Sequence, residues 1–213
     1  MYVKEIWRYP AKSMAGERVT ETEVTGLGLA GDRQILVIGA HGRVITARTH
    51  PKLLGLKASL SADGAVTING HSWNSPQARE LVQLAAGPGA SLTHYTGPER
   101  FDILPLLVAT DGAIEHMRID GRRLRPNLII GGVEGLEERQ WPGRRLRIGT
   151  AVLHKSNDNH HACDQDSCHN ERQPRASTFC LANGCHLASF INRGRFRHSI
   201  IQIRQRTSVP LHS

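Results

Sequence analysis

Apolar or β-branched positions alternate with polar ones along Arg18-Val19-Thr20-Glu21-Thr22-Glu23-Val24. That period of two predicts a strand with one buried face. Gln34-Ile35-Leu36-Val37-Ile38 is an apolar block of strand length. Gly39-Ala40-His41-Gly42 then predicts a turn and Arg43-Val44-Ile45-Thr46-Ala47 a returning strand. Leu56-Lys57-Ala58-Ser59-Leu60 and Ala65-Val66-Thr67-Ile68 flank Asp63-Gly64, and Asn69-Gly70 follows. Both dipeptides accept the positive φ of a tight hairpin turn. Ser75 is a good N-cap and Pro76 suits the first helical position. Leu81, Leu84 and Ala85 then predict the helix face, and Gly87 its end. A second helix is expected from Thr110-Asp111 through Met117. Leu128-Ile129-Ile130, Leu146-Arg147-Ile148 and Ala151-Val152-Leu153 read as further strands. The expected class is mostly β, or α+β, with a few helices and a sheet closed or folded into a barrel.

Composition narrows the functions. The longest apolar stretch, Ile103 to Ala109, is too short to cross a bilayer, so no membrane partner is expected. Met1-Tyr2-Val3-Lys4-Glu5-Ile6-Trp7-Arg8 carries charges where a secretory signal needs an apolar block, and a cytoplasmic location is expected. With 27 Lys and Arg against 19 Asp and Glu the net charge is +8, which suits an anionic partner. Arginines are scattered among turn-like segments and do not interleave with aromatics. A compact anionic ligand therefore fits better than nucleic acid.

The chain changes character near residue 150. All four Cys and seven of the twelve His lie beyond it, and hydrophobic periodicity fades. Residues 154–213 are thus read as an atypical Cys/His-rich tail, distinct from the chain before them.

Four loops carry donors for an oxyanion. Tyr9-Pro10-Ala11-Lys12-Ser13-Met14 offers a cation and a hydroxyl beside a strand. Gly26-Leu27-Gly28-Leu29-Ala30-Gly31-Asp32-Arg33 is rich in glycine but precedes a strand, so it is not a dinucleotide fingerprint. Asp32 reads as structural; Arg33 either orders the loop with it or reaches an anion. Thr46-Ala47-Arg48 ends a strand with a cation. Arg123-Leu124-Arg125-Pro126-Asn127 enters another. Arginine suits planar, bidentate recognition of phosphate, and Asn127 could hydrogen-bond a heteroaromatic edge. Each loop alone also reads as ordinary solvated surface.

Several of these segments, in this order, resemble the MOSC family, named for the C-terminal domain of molybdenum cofactor sulfurase, in the form that carries an N-terminal MOSC β-barrel domain. The matching segments run Tyr9 to Glu17, Gly28 to Arg33, Ile45 to Arg48 with Pro51, Pro105 to Val108, Arg123 to Gly131, and Trp141 with Leu146 to Gly149. The resemblance implies a β-barrel-like N-terminal domain over 1–95 and a mixed α/β MOSC domain, partial here, over 96–153. It implies binding of the molybdenum cofactor (molybdopterin), a pterin with a terminal phosphate, held by Lys12, Ser13, Arg33, Thr46, Arg48, Arg123, Arg125 and Asn127. It also implies a small-molecule substrate, an electron-transfer partner, and either sulfur carriage or reduction of N-hydroxylated compounds. Some family members are fused to pyridoxal phosphate domains, but no lysine here is marked as a Schiff-base former.

In the family a cysteine of the C-terminal third is the reactive centre, and a thiolate suits molybdenum. Cys163 lies near that place and is the expected catalytic residue and molybdenum ligand, although its flanks differ from the family pattern. Two readings of the tail remain open. Cys163, Cys168, Cys180 and Cys185 could hold zinc, which would make the alternative function a zinc-stabilised basic nucleic-acid-binding module, with Arg193-Gly194-Arg195-Phe196-Arg197 touching phosphates. Or a reading-frame change has replaced the family ending, which would leave the tail poorly packed and the chemistry impaired; the lost alternation and the missing closing strand favour this.

Overall fold

The computed structural model describes residues 1–97, 100–102, 105–141, 145–148, 151–154, 178–183, 186–191 and 201–204, the last three segments by their backbone alone. In chain order the strands begin with β1 (Tyr2–Arg8), β2 (Glu17–Val19), β3 (Glu21–Thr25), β4 (Gly28–Leu29), β5 (Ile35–Ile38) and β6 (Val44–Ile45). Next come β7 (Ala58–Leu60), β8 (Val66–Ile68), β9 (His71–Ser72), helix α1 (Pro76–Ala86), β10 (Ser91–His94), β11 (Leu106–Thr110) and helix α2 (Asp111–Met117). Then follow β12 (Leu128–Gly131), β13 (Arg145–Ile148), β14 (Ala151–His154), β15 (Thr178–Asn183), β16 (His186–Ile191) and β17 (Ile201–Arg204). The class is mostly β with two α-helices among the described residues.

Two compact units divide the chain. The first comprises Met1–Ile6, Val19–Ala30 and the described residues after 103; the second comprises Trp7–Arg18 and Gly31–Asp102. Each has its own core. In the first, Val3, Ile6, Val24, Leu29, Leu106, Val108, Leu128, Ile130, Trp141 and Leu153 pack together. Its main sheet has the order β16-β15-β11-β12-β1-β2, with β11 parallel to both β12 and β15. A strand covered on both faces reads as an unbroken apolar run, and this is the place of Leu106 to Ala109.

In the second unit Met14, Ile35, Val37, Leu53, Ile68, Ala78 and Val82 form the core. Its sheets run β10-β5-β6 and β7-β8-β9. Among the described residues the strands make open sheets, not one closed barrel. Strands of two to four residues are too short to wrap around a core, and single bridges, Ala11 to Ile35 and Ala15 to Lys57, carry the chain between sheets. Both expected hairpin turns form: Gly64, Asn69 and Gly70 all have positive φ, and the Asp63 carboxylate accepts from Ala65 N–H at 3.2 Å.

Three expectations change. The strand expected over 18–24 breaks at Thr20, into β2 and β3. Helix α1 is capped by Ser75, whose hydroxyl accepts from Ala78 N–H at 3.2 Å, but its buried face is Ala78, Val82 and Ala86. Leu84 is 72% exposed. The i, i+4 spacing of small residues lets the helix lie close to its sheet, and the larger leucine is left outside. The tail, read as lacking a closing strand, carries β17, which pairs antiparallel with β3, Ile201 opposite Val24. Ile201-Gln202-Ile203-Arg204 keeps the period of two that the surrounding tail obscures.

Candidate functional site

Lys12 sits just after the Ala11 bridge, and its own N–H donates to Ile35 O at 2.8 Å. Its side chain is 12% exposed, and Nζ lies 2.7 Å from Asp102 Oδ1. A cation this far from water requires an anion at hand. Arg48, 76% exposed at the surface, reaches the other Asp102 oxygen at 3.7 Å. Partial burial by itself would push the Asp102 carboxyl up. The Lys12 hydrogen bond and the charges of Lys12, Arg48 and Arg33 outweigh it and hold the group below the ordinary carboxylate value. Three of the expected cations, from three separate loops, thus act on one carboxylate within the second unit.

Arg33 is fixed by its surroundings. Asp32 is fully buried, accepts Tyr9 N–H at 2.7 Å and is ion-paired with the Arg33 guanidinium, so the structural role expected of it holds. The guanidinium lies 5.6 Å from the Tyr9 ring centroid and 5.9 Å from that of Phe101. Arg100 stacks on Phe101 at 4.7 Å and donates to Thr96 O at 3.0 Å. Burial pushes the Arg100 guanidinium below its ordinary value, and Arg33 adds to this while Asp32 opposes it. Arg100, Phe101 and Asp102 were not expected from the sequence. The signal available was an ionisable-aromatic-ionisable triplet directly before the apolar run.

Ser13 is buried beside Lys12 with φ 68°, and Arg33 has φ 51°. Arg125 has φ 53°. The left-handed region costs a non-glycine residue about 1 kcal/mol or more. Among the described residues five non-glycine positions adopt it, and three of these are expected ligands. A side chain retained where glycine would be easier is a pointer to function. Gly28 and Gly31 explain the glycine-rich loop: a Cβ on Gly28 would overlap the Pro105 carbonyl, and one on Gly31 would come within 2.6 Å of Leu60 Cδ1.

Thr46 is half-buried and closes the turn before Arg48, its carbonyl accepting from Thr49 N–H and His50 N–H. Arg123, Arg125 and Asn127 belong to the first unit. Arg123 is exposed, Arg125 half-buried and Asn127 fully buried. The Asn127 side-chain oxygen accepts from Leu107 N–H at 3.1 Å, and its own N–H donates to Leu107 O at 2.7 Å. Its oxygen therefore serves the junction of β11 and β12.

Cys163, Cys168 and Cys185 lie outside the described residues, as does the Cys180 side chain. Among the described residues no group of His, Cys, Asp and Glu is disposed to hold a metal ion. No described helix is long and apolar enough to cross a membrane.

Residues 1–86 match the MOSC N-terminal beta barrel domain. The chain is 43% identical to mitochondrial amidoxime reducing component 2 of Macaca fascicularis, over 72% of this chain and 62% of that protein. The human protein of the same name gives the same figures. Mitochondrial amidoxime-reducing component 1 of Mus musculus is 38% identical over 71% of this chain and 61% of its own length. The chain thus spans a little over three fifths of these relatives. Their names overturn the expectation of a cytoplasmic location, because these relatives are mitochondrial proteins by name. That expectation came from the lack of an export signal, a feature that does not separate one intracellular compartment from another. The domain match, and relatives that run through both units of the fold, place this chain in the MOSC family.

Proposed function

We propose that the chain binds the molybdenum cofactor and takes part in the two-electron reduction of N-hydroxylated compounds. The observation that carries this reading is the gathering of Lys12, Arg48 and Arg33 about one carboxylate. Asp102 stands there as an anion would. The donor set fits a phosphate monoester, which brings about two negative charges and three acceptor oxygens. Lys12, Ser13, Arg33 and Arg48 would hold the phosphate. Thr46, Arg123, Arg125 and Asn127 are the remaining cofactor-binding residues that the family resemblance implies. The family assignment supports this cofactor and gives no support to zinc.

When bound, the cofactor supplies a molybdenum centre that exchanges two electrons with substrate. The chain's own residues bind and orient it. Cys163 would supply the thiolate for the metal. An amidoxime accepts two electrons and two protons, loses its N–O bond and leaves as amidine and water, so an external electron donor is required as a partner. The names of the relatives favour reduction over sulfur carriage.

Full-length protein made in a cofactor-producing host is expected to copurify with molybdenum and pterin in equal amounts. Arg48→Ala and Arg125→Ala are expected to lower both, and Cys163→Ser to keep the pterin but stop amidoxime reduction. Wild-type protein that folds but carries neither molybdenum nor pterin would overturn the reading.

A further inference from the structure

The anion that Lys12 needs is supplied by the chain itself, and the pair is lopsided. Lys12 is enclosed and its backbone is tied to Ile35, whereas the Asp102 side chain is 57% exposed and lies in no strand or helix. Arg48 shares the same carboxylate from the surface at 3.7 Å. One negative charge thus serves two cations, with Arg33 acting on it as a third. Asp32 balances Arg33, and Arg100 adds a further positive charge nearby. Among these described side chains, Lys12, Arg33, Arg48 and Arg100 carry four positive charges against the two negative charges of Asp32 and Asp102. The cheapest element to move is Asp102: it can return to water without leaving a buried charge of its own, and an incoming dianion satisfies Lys12 in its place.

We propose that Asp102 is a resident counter-anion of this site, holding Lys12 and Arg48 in their binding positions and moving aside when a phosphate group enters. The proposal rests on the reading that Lys12 and Arg48 bind phosphate, and it adds that the site competes with its own ligand. Asp102 lowers phosphate affinity while keeping the cations gathered and Lys12 satisfied.

Inorganic phosphate is the probe, titrated into full-length protein at fixed salt and followed by phosphorus NMR. Circular dichroism verifies that each variant is folded. Asp102→Asn and Asp102→Ser are both expected to bind phosphate on the order of tenfold more tightly than wild type, the size of one charge pair near a surface. Lys12→Met is expected to abolish binding. If both Asp102 variants bind phosphate no better than wild type while Lys12→Met loses it, Asp102 is a fixed structural partner and the proposal falls, with the phosphate site intact. If Lys12→Met binds phosphate like wild type, the phosphate reading of Lys12 itself fails and takes the proposal with it.

Discussion

Thr110 donates its hydroxyl hydrogen to the carboxylate of Glu138 at 3.0 Å, with both residues buried in the first unit. The same oxygen accepts from Ala113 N–H at 3.0 Å and so caps α2. One hydroxyl thus starts a helix and satisfies a buried acid on the segment after β12. Thr110→Val keeps the shape and removes both bonds. Losing the cap and leaving Glu138 short of a donor is expected to cost about 2–4 kcal/mol. Thr110→Ser should recover most of it. Urea unfolding of the two variants checks this, and equal losses would show that the methyl group matters and the hydroxyl does not.

Asp111, the next residue, gives a pH signature. Its carboxylate accepts from Gly132 N–H at 2.8 Å, Val133 N–H at 3.1 Å and Gly112 N–H at 3.0 Å. Partial burial pushes the carboxyl up, but the three N–H groups and the charge of Lys4 outweigh it and hold the group below its ordinary 3.8. A depressed folded value means that the carboxylate form favours the folded chain. Its contribution is complete above the unfolded value, and it is lost as pH falls through the lower folded one. Asp111→Asn is expected to be less stable by on the order of 1–2 kcal/mol at pH 7. The gap should stay constant down to about pH 5 and close below the ordinary carboxylate range. Denaturant midpoints for both proteins between pH 7 and pH 3 test it; a gap that does not narrow would rule out the ionised carboxylate as its source.

How much of this was readable beforehand depended on whether the cause was local. The Asp63-Gly64 and Asn69-Gly70 turns, the Ser75 cap and the Thr110 start all act within a few residues of themselves, and all formed as expected. Strand β1 shows no period of two in the sequence because Val3 and Ile6, its two buried residues, are three apart. A bulge between Val3 and Glu5 restores their common face, and a bulge hides a period of two. The apolar run of β11 has its cause in partners distant in sequence, the parallel strands on both sides of it. At the site, the cations of Lys12, Arg33 and Arg48 were legible from their loops, but Asp102 was not. Its partner Lys12 lies far away in sequence, and only the fold of the second unit brings the two together.

Ser13 and Arg118 share an uncommon backbone state, with φ 68° and 52°, and the difference between them isolates function. Arg118 ends α2 as its left-handed C-cap, a position where glycine is the usual solution. Arg118→Gly is expected to stabilise the protein by about 0.5–1 kcal/mol and to leave phosphate binding unaltered. Ser13→Gly relieves the same strain and should also raise the melting temperature. However, it removes a hydroxyl beside Lys12, in the loop assigned to the phosphate. Its phosphate affinity is expected to fall severalfold, by the loss of about one neutral hydrogen bond. Thermal melts and phosphate titrations of the two variants give four numbers. Two rises in melting temperature with one selective loss of binding would mean that the backbone at Ser13 is held under strain for the sake of its side chain. Unchanged binding in Ser13→Gly would remove Ser13 from the ligand set and leave its left-handed backbone as a feature of the turn alone.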